Sequence, residues 1–147
     1  MVDREKTRAY GAELQRKAKA ILEEWGYCVH NQTTLAHKIK NKEGREFWVS
    51  KRNDIFGCID LVAIHPEKDN ILFIQVTAHT GVGMKLKELA KVPWNKACRV
   101  ELWLYKGQGR WVLKELRRGI RGGAKLGDYA EIQRGKLMLI GEGGLPF

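Results

Sequence analysis

The spacing of apolar residues predicts one long helix near the N-terminus and a shorter helix in the middle of the chain. Over residues 7–25, five apolar residues fall at helical spacing and form one stripe: Leu14, Ala18, Ile21, Leu22 and Trp25. Gly26 is expected to end this helix, because glycine readily adopts the left-handed conformation found at helix ends. Residues 83–91 suit a second helix, which Pro93 closes.

Short apolar runs between turn-forming residues predict the strands. In chain order they are YCV, EFWVS, CIDLVAI, ILFIQVT, CRVELWLY and RWVLKEL. The polar, basic segment 31–45 is expected to be a loop or a hairpin arm, and KGQG a hairpin turn. This order predicts a single domain of the mixed α/β class around one central sheet, with a core over about residues 7–116. Residues 117–147 are basic and rich in glycine, so we expect a C-terminal extension there: one strand at KLMLI and otherwise a mobile tail.

The charge of the chain indicates the kind of partner. The 147 residues carry a formal net charge of +10, which favours a polyanion, nucleic acid above all. An anionic membrane surface fits less well, because no basic amphipathic helix has a strong apolar face left free; mere solubility is the bland alternative. We see no membrane-spanning stretch and no signal peptide, and we expect a cytoplasmic location. Cys28, Cys58 and Cys98 lack zinc-ligand spacing and are expected to be packing residues in a reducing cytosol.

Two consecutive strands place polar residues on a face that is otherwise apolar. Asp60 lies near the start of the first, and Gln75 near the end of the second. A six-residue loop joins these strands, so they are expected to pair antiparallel, with Val62 opposite Phe73 and Asp60 opposite Gln75. The two polar side chains either hydrogen-bond each other or, together with the Val76 carbonyl, form half of the oxygen shell of Mg²⁺ or Mn²⁺.

These residues resemble the motif of the PD-(D/E)XK nuclease superfamily, and more narrowly that of phage-type and archaeal-type Holliday junction resolvases. Members place an aspartate at the start of one core strand and Glu-x-Lys or Gln-x-Lys near the end of the next, as Asp60 and Gln75 do here. Gly11, Gln15 and Gly26 match the family's helix spacing. The resemblance covers roughly residues 10–90. It implies the restriction-endonuclease-like fold, a central mixed β-sheet flanked by helices, and a metal-dependent endonuclease acting in DNA recombination.

Two positions depart from the family pattern. Gln15 stands where members have an acidic residue; a neutral amide suits positioning a water but supplies no charge, and the nearby Glu13 points away from the apolar stripe. Thr77 stands where members have a lysine that orients the attacking water and offsets phosphate charge. Three residues are candidates to replace that lysine, although each is also explained as a solvated surface residue: Lys51, Lys85 and His79.

Asp54 and the basic residues complete the candidate site. Asp54 is either a turn residue that caps the backbone or a second metal carboxylate. Two basic clusters, with His79 and Lys85 beside the site, are expected to contact DNA phosphates: Lys38, Lys40, Lys42, Arg45, Arg52, and then Arg117, Arg118, Arg121. We expect recognition of DNA shape rather than base sequence. Four tryptophans are expected in the core or an interface rather than as base-stacking platforms: Trp48, Trp94, Trp103 and Trp111.

The resemblance implies a Holliday junction resolvase that cleaves branched DNA. It also implies a small protein of phage or archaeal origin, and a phage protein would act in the cytoplasm of the host cell. It also implies a homodimer, because two symmetric cuts need two sites; VELWLY is a candidate for the interface. Two alternatives stand beside this reading. One is a generic nicking, repair or restriction-type endonuclease of the same fold, and the other a non-catalytic basic DNA-binding protein whose nuclease site has decayed. Metal-dependent cleavage and a preference for junctions separate the three.

Overall fold

The computed structural model describes residues 4–31, 34–52, 54–78, 81–118 and 123–140, with side chains except at 4–9, 34–37 and 49–52. The helices are α1 (Arg4–Glu24) and α2 (Val82–Ala90). The strands are β1 (Cys28–Asn31), β2 (Thr34–Lys40), β3 (Glu46–Arg52), β4 (Leu61–Ile64), β5 (Ile71–Thr77), β6 (Cys98–Gly107), β7 (Arg110–Arg118), β8 (Ala124–Gln133) and β9 (Lys136–Leu139). Neither of these helices is long and apolar enough to cross a membrane.

Seven of the strands form one mixed sheet, in the order β1-β4-β5-β6-β7-β8-β9. Neighbouring strands are antiparallel except β5 and β6, which run parallel and are connected through α2. Strands β2 and β3 pair antiparallel in a separate two-stranded sheet. The predicted α/β class with a central sheet is therefore confirmed, and segment 31–45 contributes to a hairpin rather than to a plain loop.

The apolar stripe of α1 packs on one face of the large sheet. Leu14, Ala18 and Leu22 are buried in one core cluster with residues of β4 and β5. Gly26 has φ +93° and ends the helix as the sequence predicts. The helix begins at Arg4, three residues before the predicted start. The stripe thus fixes which side of the sheet α1 covers and brings the middle of α1 against β4 and β5.

Strand β5 is buried on both faces, which explains why its sequence is apolar almost throughout. Leu72 and Ile74 belong to the core under α1, whereas Phe73 belongs to a second core cluster that contains Leu89 of α2. Because side chains alternate along a strand, Gln75 lies on the same side as Phe73, toward α2. The amide that interrupts the run is therefore directed at the second helix.

The prediction of a tail from residue 117 is wrong for residues 123–135, whereas the strand predicted at KLMLI is confirmed as β9. Strand β8 pairs with β7 along its whole length, β9 pairs with β8, and Tyr129, Ala130 and Ile132 are in the core. One glycine of this segment has a packing role. A Cβ at Gly127 would lie 3.0 Å from Nη1 of Arg117, so the glycine makes room for the guanidinium on the neighbouring strand. The core therefore reaches well beyond residue 116.

The expectation of an interface at VELWLY is also wrong. Strand β6 lies between β5 and β7, and residues 100–104 are all buried. Glu101 is held inside by hydrogen bonds from Nε of Arg99 (2.8 Å), Nε1 of Trp103 (3.0 Å) and the hydroxyl of Tyr129. An apolar run has the same pattern in a core as in an interface, and here the sheet itself covers it.

The tryptophans divide into two groups. Trp103 and Trp111 are buried in the core as predicted, and Trp94 packs at 4.9 Å from the ring of Phe73. Trp48, by contrast, is 69% exposed on the β2–β3 hairpin. Trp48 is therefore not a core residue, and the alternative of an interface residue stays a prediction at this position.

Candidate active site

A tight loop places Asp54 and Asp60 on its two sides. Ile55 and Ile59 form an antiparallel bridge through hydrogen bonds of 3.0 and 2.9 Å between their backbones. Gly57 closes the loop at φ +76° and donates its N–H to the Asp54 carbonyl oxygen over 3.0 Å. Asp54 and Asp60 immediately flank this bridge, so the loop holds the two aspartates near each other.

The Asp60 carboxylate is 2% exposed and accepts a hydrogen bond at each oxygen. Nε2 of Gln15 donates to Oδ1 over 3.2 Å. The backbone N–H of Val76 donates to Oδ2 over 2.8 Å. The carboxylate thus joins helix α1 to the end of strand β5, and these two donors set its orientation.

Gln75 directly precedes Val76 in the chain, but its side chain bonds Glu88 rather than the Asp60 carboxylate. The predicted register is confirmed at Val62 and Phe73, and the ladder ends at the next pair, Leu61 and Ile74. Gln75 is 5% exposed, and its Nε2 donates to Oε2 of Glu88 in α2 over 3.4 Å. The alternative in which Asp60 and Gln75 simply hydrogen-bond each other is therefore not the arrangement found.

The side-chain oxygen of Gln75 is the unusual atom of the site. Oε1 is shielded from solvent and accepts no hydrogen bond within the part of the chain that the structure describes. If the amide were flipped, its oxygen would face the Glu88 carboxylate, and two acceptors would then meet. The bond to Glu88 therefore assigns the Gln75 nitrogen to the Glu88 side and leaves Oε1 on the other side. A buried acceptor without a donor is rare in folded proteins and calls for a specific reason.

Several charges act on one point of the site. Burial and then the negative charges of Glu88, Asp54 and Asp60 raise the pKa of Cys58 from 9.0 to about 11, whereas Lys85 lowers it. Three carboxylates and one ammonium group therefore surround a buried thiol two residues from Asp60. The net negative field of this group is the kind that attracts a cation.

The structure places the predicted helix and strand residues as follows. Gln15 is buried, whereas Glu13 is exposed and pairs with Lys17 at 3.6 Å, so Gln15 is the residue of the two that faces the sheet. Thr77 is buried on the same face of β5 as Gln75. Among the candidates for the missing lysine, Lys85 lies close enough to Cys58 for its charge to lower the pKa of that thiol. His79 lies outside the described residues, and so does the side chain of Lys51.

The basic residues do not all gather around Asp60. Lys38, Lys40, Lys42 and Arg45 are exposed on the β2–β3 hairpin. Glu115 of β7 is level with Ile74 of β5, because both residues pair with Glu101 of β6. Strand β7 runs antiparallel to β6, so Arg117 and Arg118, which follow Glu115, lie toward the opposite end of β5 from Gln75. Arg117 pairs with Glu115 at 3.5 Å and Arg118 donates to the Val92 carbonyl at 3.2 Å. Arg121 and the side chain of Arg52 lie outside the described part.

The residues present fit a hard cation with few protein ligands. Among described side chains, no three histidines, cysteines, aspartates or glutamates form a metal-ligand group. Asp60 and the Gln75 oxygen are therefore the core of the site, with Asp54 and Glu88 contributing charge nearby. Mg²⁺ is usually held by one or two carboxylates, with water and phosphate oxygens completing its shell. The position of the Val76 N–H fixes Asp60, and the Val76 carbonyl remains a predicted ligand.

Sequence reasoning missed Glu88. One signal was present: the helix that carries it directly follows β5, so it returns over the face that bears Gln75. Lys85 and Glu88 are three residues apart, which places them on the same side of that helix. A carboxylate at this spacing from a candidate lysine was therefore a reason to consider both.

Comparison with protein-family models, with curated proteins and with solved structures found no match. The resemblance to the nuclease superfamily is therefore carried by the motif residues themselves.

Proposed function

We propose that this protein is a metal-dependent, structure-selective DNA endonuclease with the restriction-endonuclease-like fold, similar to Holliday junction resolvases. The order of elements supports this proposal. Helix α1 carries Gln15, strand β4 begins one residue after Asp60, and strand β5 ends two residues after Gln75. These are the elements and positions at which the resemblance expects the motif residues.

The observation that carries the proposal is the buried side-chain oxygen of Gln75, which accepts no hydrogen bond from the described residues and belongs to the residue before Val76, whose N–H binds the Asp60 carboxylate. Leaving such an acceptor without a donor costs about 1–3 kcal/mol, so stability alone favours an apolar residue at this position. A hard cation binds amide and carboxylate oxygens together and offsets this cost. Gln75 is therefore better explained as a ligand than as a packing residue.

The chain's own residues divide the work of phosphodiester hydrolysis. Bound at Asp60 and Gln75, Mg²⁺ or Mn²⁺ supplies Lewis acidity toward the phosphate and the attacking water. Gln15 and the Val76 N–H hold the Asp60 carboxylate in place. Lys85 offsets the negative charge of the phosphate in place of the family lysine. Thr77 lies on the same face and contributes no charge.

DNA is the partner that the charge of the protein favours. The net charge is +10, and the basic residues of the hairpin are exposed. Contacts between such residues and phosphates give affinity that falls steeply with salt and carries little sequence information. Selectivity for branched DNA then depends on shape.

We place the contact of the proposed homodimer at the edge strand β9. Met138, Leu139 and the following Ile140 are each exposed by about two-fifths, at the last strand of the sheet. Such an edge pairs readily with another strand unless it is covered. A second copy covers it and supplies the second active site that paired cuts require.

The test is cleavage of a labelled synthetic four-way junction beside linear duplex and single strand, with Mg²⁺, Mn²⁺ or EDTA. Asp60→Ala is the inactive variant, and Asp69→Ala, which removes an exposed aspartate in the β4–β5 loop, is its matched control. Paired cuts in the junction alone, lost with EDTA and in Asp60→Ala but kept in Asp69→Ala, are the expected result. Cleavage of all three substrates would instead indicate a generic endonuclease of the same fold.

A non-catalytic DNA-binding protein is the second candidate, and one observation favours it. Both oxygens of Asp60 already accept hydrogen bonds from Gln15 and Val76, an arrangement that suits a purely structural role. Junction binding without cleavage in either metal, by protein that is folded and binds DNA tightly, would favour this candidate and overturn the enzyme.

A further inference from the structure

The β2–β3 hairpin exposes large apolar side chains that add nothing to the core of the fold. All residues from 38 to 48 are exposed. Trp48 is 69% exposed, Phe47 44% and Ile39 37%. Ile39 and Phe47 are paired on one face of the hairpin, and Trp48 is exposed on the other face, opposite Lys38. Each face therefore carries exposed apolar surface of the kind that marks interaction sites.

The tip of this hairpin is built rather than loose. Oδ1 of Asn41 accepts hydrogen bonds from the backbone N–H groups of Glu43 (3.0 Å) and Arg45 (2.9 Å). Gly44 adopts φ +81°, which completes the turn. These bonds fix the strand register, in which Lys38 pairs with Trp48. The exposed residues are thus presented in a defined arrangement.

Positively charged side chains lie beside the exposed ring of Trp48. Lys38 and Lys40 lie on the same face as Trp48, and Glu46 holds them there through ion pairs of 2.6 and 3.8 Å. Lys42 and Arg45 at the tip make no ion pair with the described residues. Stacking aromatics interleaved with cations are what single-stranded or unstacked nucleic acid binds.

The hairpin is connected directly to the candidate active site. Strand β3 ends at Arg52, two residues before Asp54, and Trp48 precedes Asp54 by six residues. At about 3.3 Å per residue, Trp48 lies at most about 20 Å from Asp54 along the chain. A DNA branch point at the hairpin is then within a few base pairs of the phosphate at Asp60.

We propose that residues 38–48 form a branch-recognition hairpin, in which Trp48 stacks on a base that is exposed at a DNA branch point while Lys42 and Arg45 bind the flanking phosphates. The inference rests on the proposed DNA partner, but it does not require cleavage. It assigns the selectivity for branched DNA to an aromatic contact rather than to charge alone.

The experiment measures binding in EDTA to a four-way junction and to linear duplex by wild type, Trp48→Ala, Trp48→Phe and Ile64→Ala. Ile64 is 54% exposed at the far end of β4 and serves as the matched control. We expect Trp48→Ala to lose about tenfold in junction affinity with little change for duplex, because base stacking is lost while phosphate contacts remain. Trp48→Phe keeps a ring and recovers most of the affinity. We also expect junction DNA to quench the tryptophan emission of wild type, and Trp48→Phe to lose that quenching.

Equal affinity of wild type and Trp48→Ala for the junction would overturn the proposal, and so would an equal loss for both DNAs. Sedimentation of each variant gives a further check: a change from dimer to monomer in Trp48→Ala would show that the hairpin contacts a second copy instead. A loss of junction preference in Trp48→Ala by a protein that never cleaves leaves this inference standing and removes only the nuclease activity. No binding to any DNA by wild type overturns both.

Discussion

Gln15 in helix α1 donates a hydrogen bond over 3.2 Å to Oδ1 of Asp60, 45 residues later in the chain. Both side chains are buried, so this bond replaces contacts with water that neither group can make. Its donor is a neutral amide at the position where the nuclease motif that the sequence resembles has an acid. The bond therefore orients the Asp60 carboxylate without adding a second negative charge, and the next two predictions test this arrangement.

Gln15→Leu should destabilise the fold, because it removes a buried donor from Asp60 while keeping a side chain of similar size. We expect the free energy of unfolding to fall by about 1–3 kcal/mol in urea denaturation. Glu13→Leu, at an exposed position two residues earlier in the same helix, should change the free energy of unfolding by about 0.5 kcal/mol or less. Equal stability of the two variants would contradict a structural role for the Gln15 bond.

Gln15→Glu should make the stability of the protein depend on divalent metal. The new carboxylate lies against Asp60, and two like charges in a buried place disfavour ionisation of both. In EDTA we expect a lower melting temperature than in wild type. Millimolar Mg²⁺ should raise the melting temperature of this variant more than that of wild type, because a ligand that binds only the folded state stabilises it. A variant insensitive to Mg²⁺ would mean that the cation does not reach this carboxylate.

The sequence predicted α1, β4 and β5, and it singled out Asp60 and Gln75, both of which are buried. The apolar stripe of α1 and the run ILFIQVT depend on local periodicity, and the register between Val62 and Phe73 depends on one short loop, so all three could be derived. The contact between Gln75 and Glu88 could not, because it depends on how α2 crosses the sheet. Strand β8 was missed because it lies in a basic, glycine-rich segment that resembles a tail, and the packing of Arg117 over Gly127 depends on how the two strands pair.

Gln75→Met should separate stability from function. Methionine fills nearly the same volume and removes the oxygen that has no donor within the described structure. We expect the free energy of unfolding in EDTA to rise by about 1 kcal/mol or to stay level, although the weak bond to Glu88 is lost. Cleavage and the stabilisation by Mg²⁺ should both disappear. A marked loss of stability would instead show that the amide is held there by the fold rather than by a ligand.

Lys85→Ala tests whether α2 supplies the cation that Thr77 does not. If Lys85 offsets phosphate charge during hydrolysis, single-turnover cleavage at saturating enzyme should slow by about a hundredfold with little change in junction affinity. Lys85→Arg keeps the charge and should recover part of the rate. Lys87→Ala removes an exposed lysine on another side of the same helix and should leave the rate near that of wild type. Equal rates for the two alanine variants would exclude this role for Lys85.

Tyr129 should make the protein less stable in alkali. Burial, followed by the charge of Glu101 and the hydrogen bond to it, raises the pKa of the Tyr129 phenol well above 10.0, although Arg99 beside it acts in the opposite direction. The folded protein therefore keeps this phenol neutral where the unfolded chain begins to ionise it. Stability from this group is fully present below about pH 10 and is lost as the pH rises further.

The measurement is urea denaturation from about pH 8 to pH 11 for wild type and Tyr129→Phe. The variant loses one donor to Glu101, and Trp103 still donates to that carboxylate at 3.0 Å, so we expect it to be somewhat less stable near neutral pH. Its stability should fall less steeply above pH 10, because it lacks the phenol that must ionise on unfolding. The difference in free energy between the two proteins therefore shrinks as the pH rises. A difference that is constant with pH would mean that Tyr129 ionises equally in both states, and the short contact with Glu101 would then contribute nothing to its pKa.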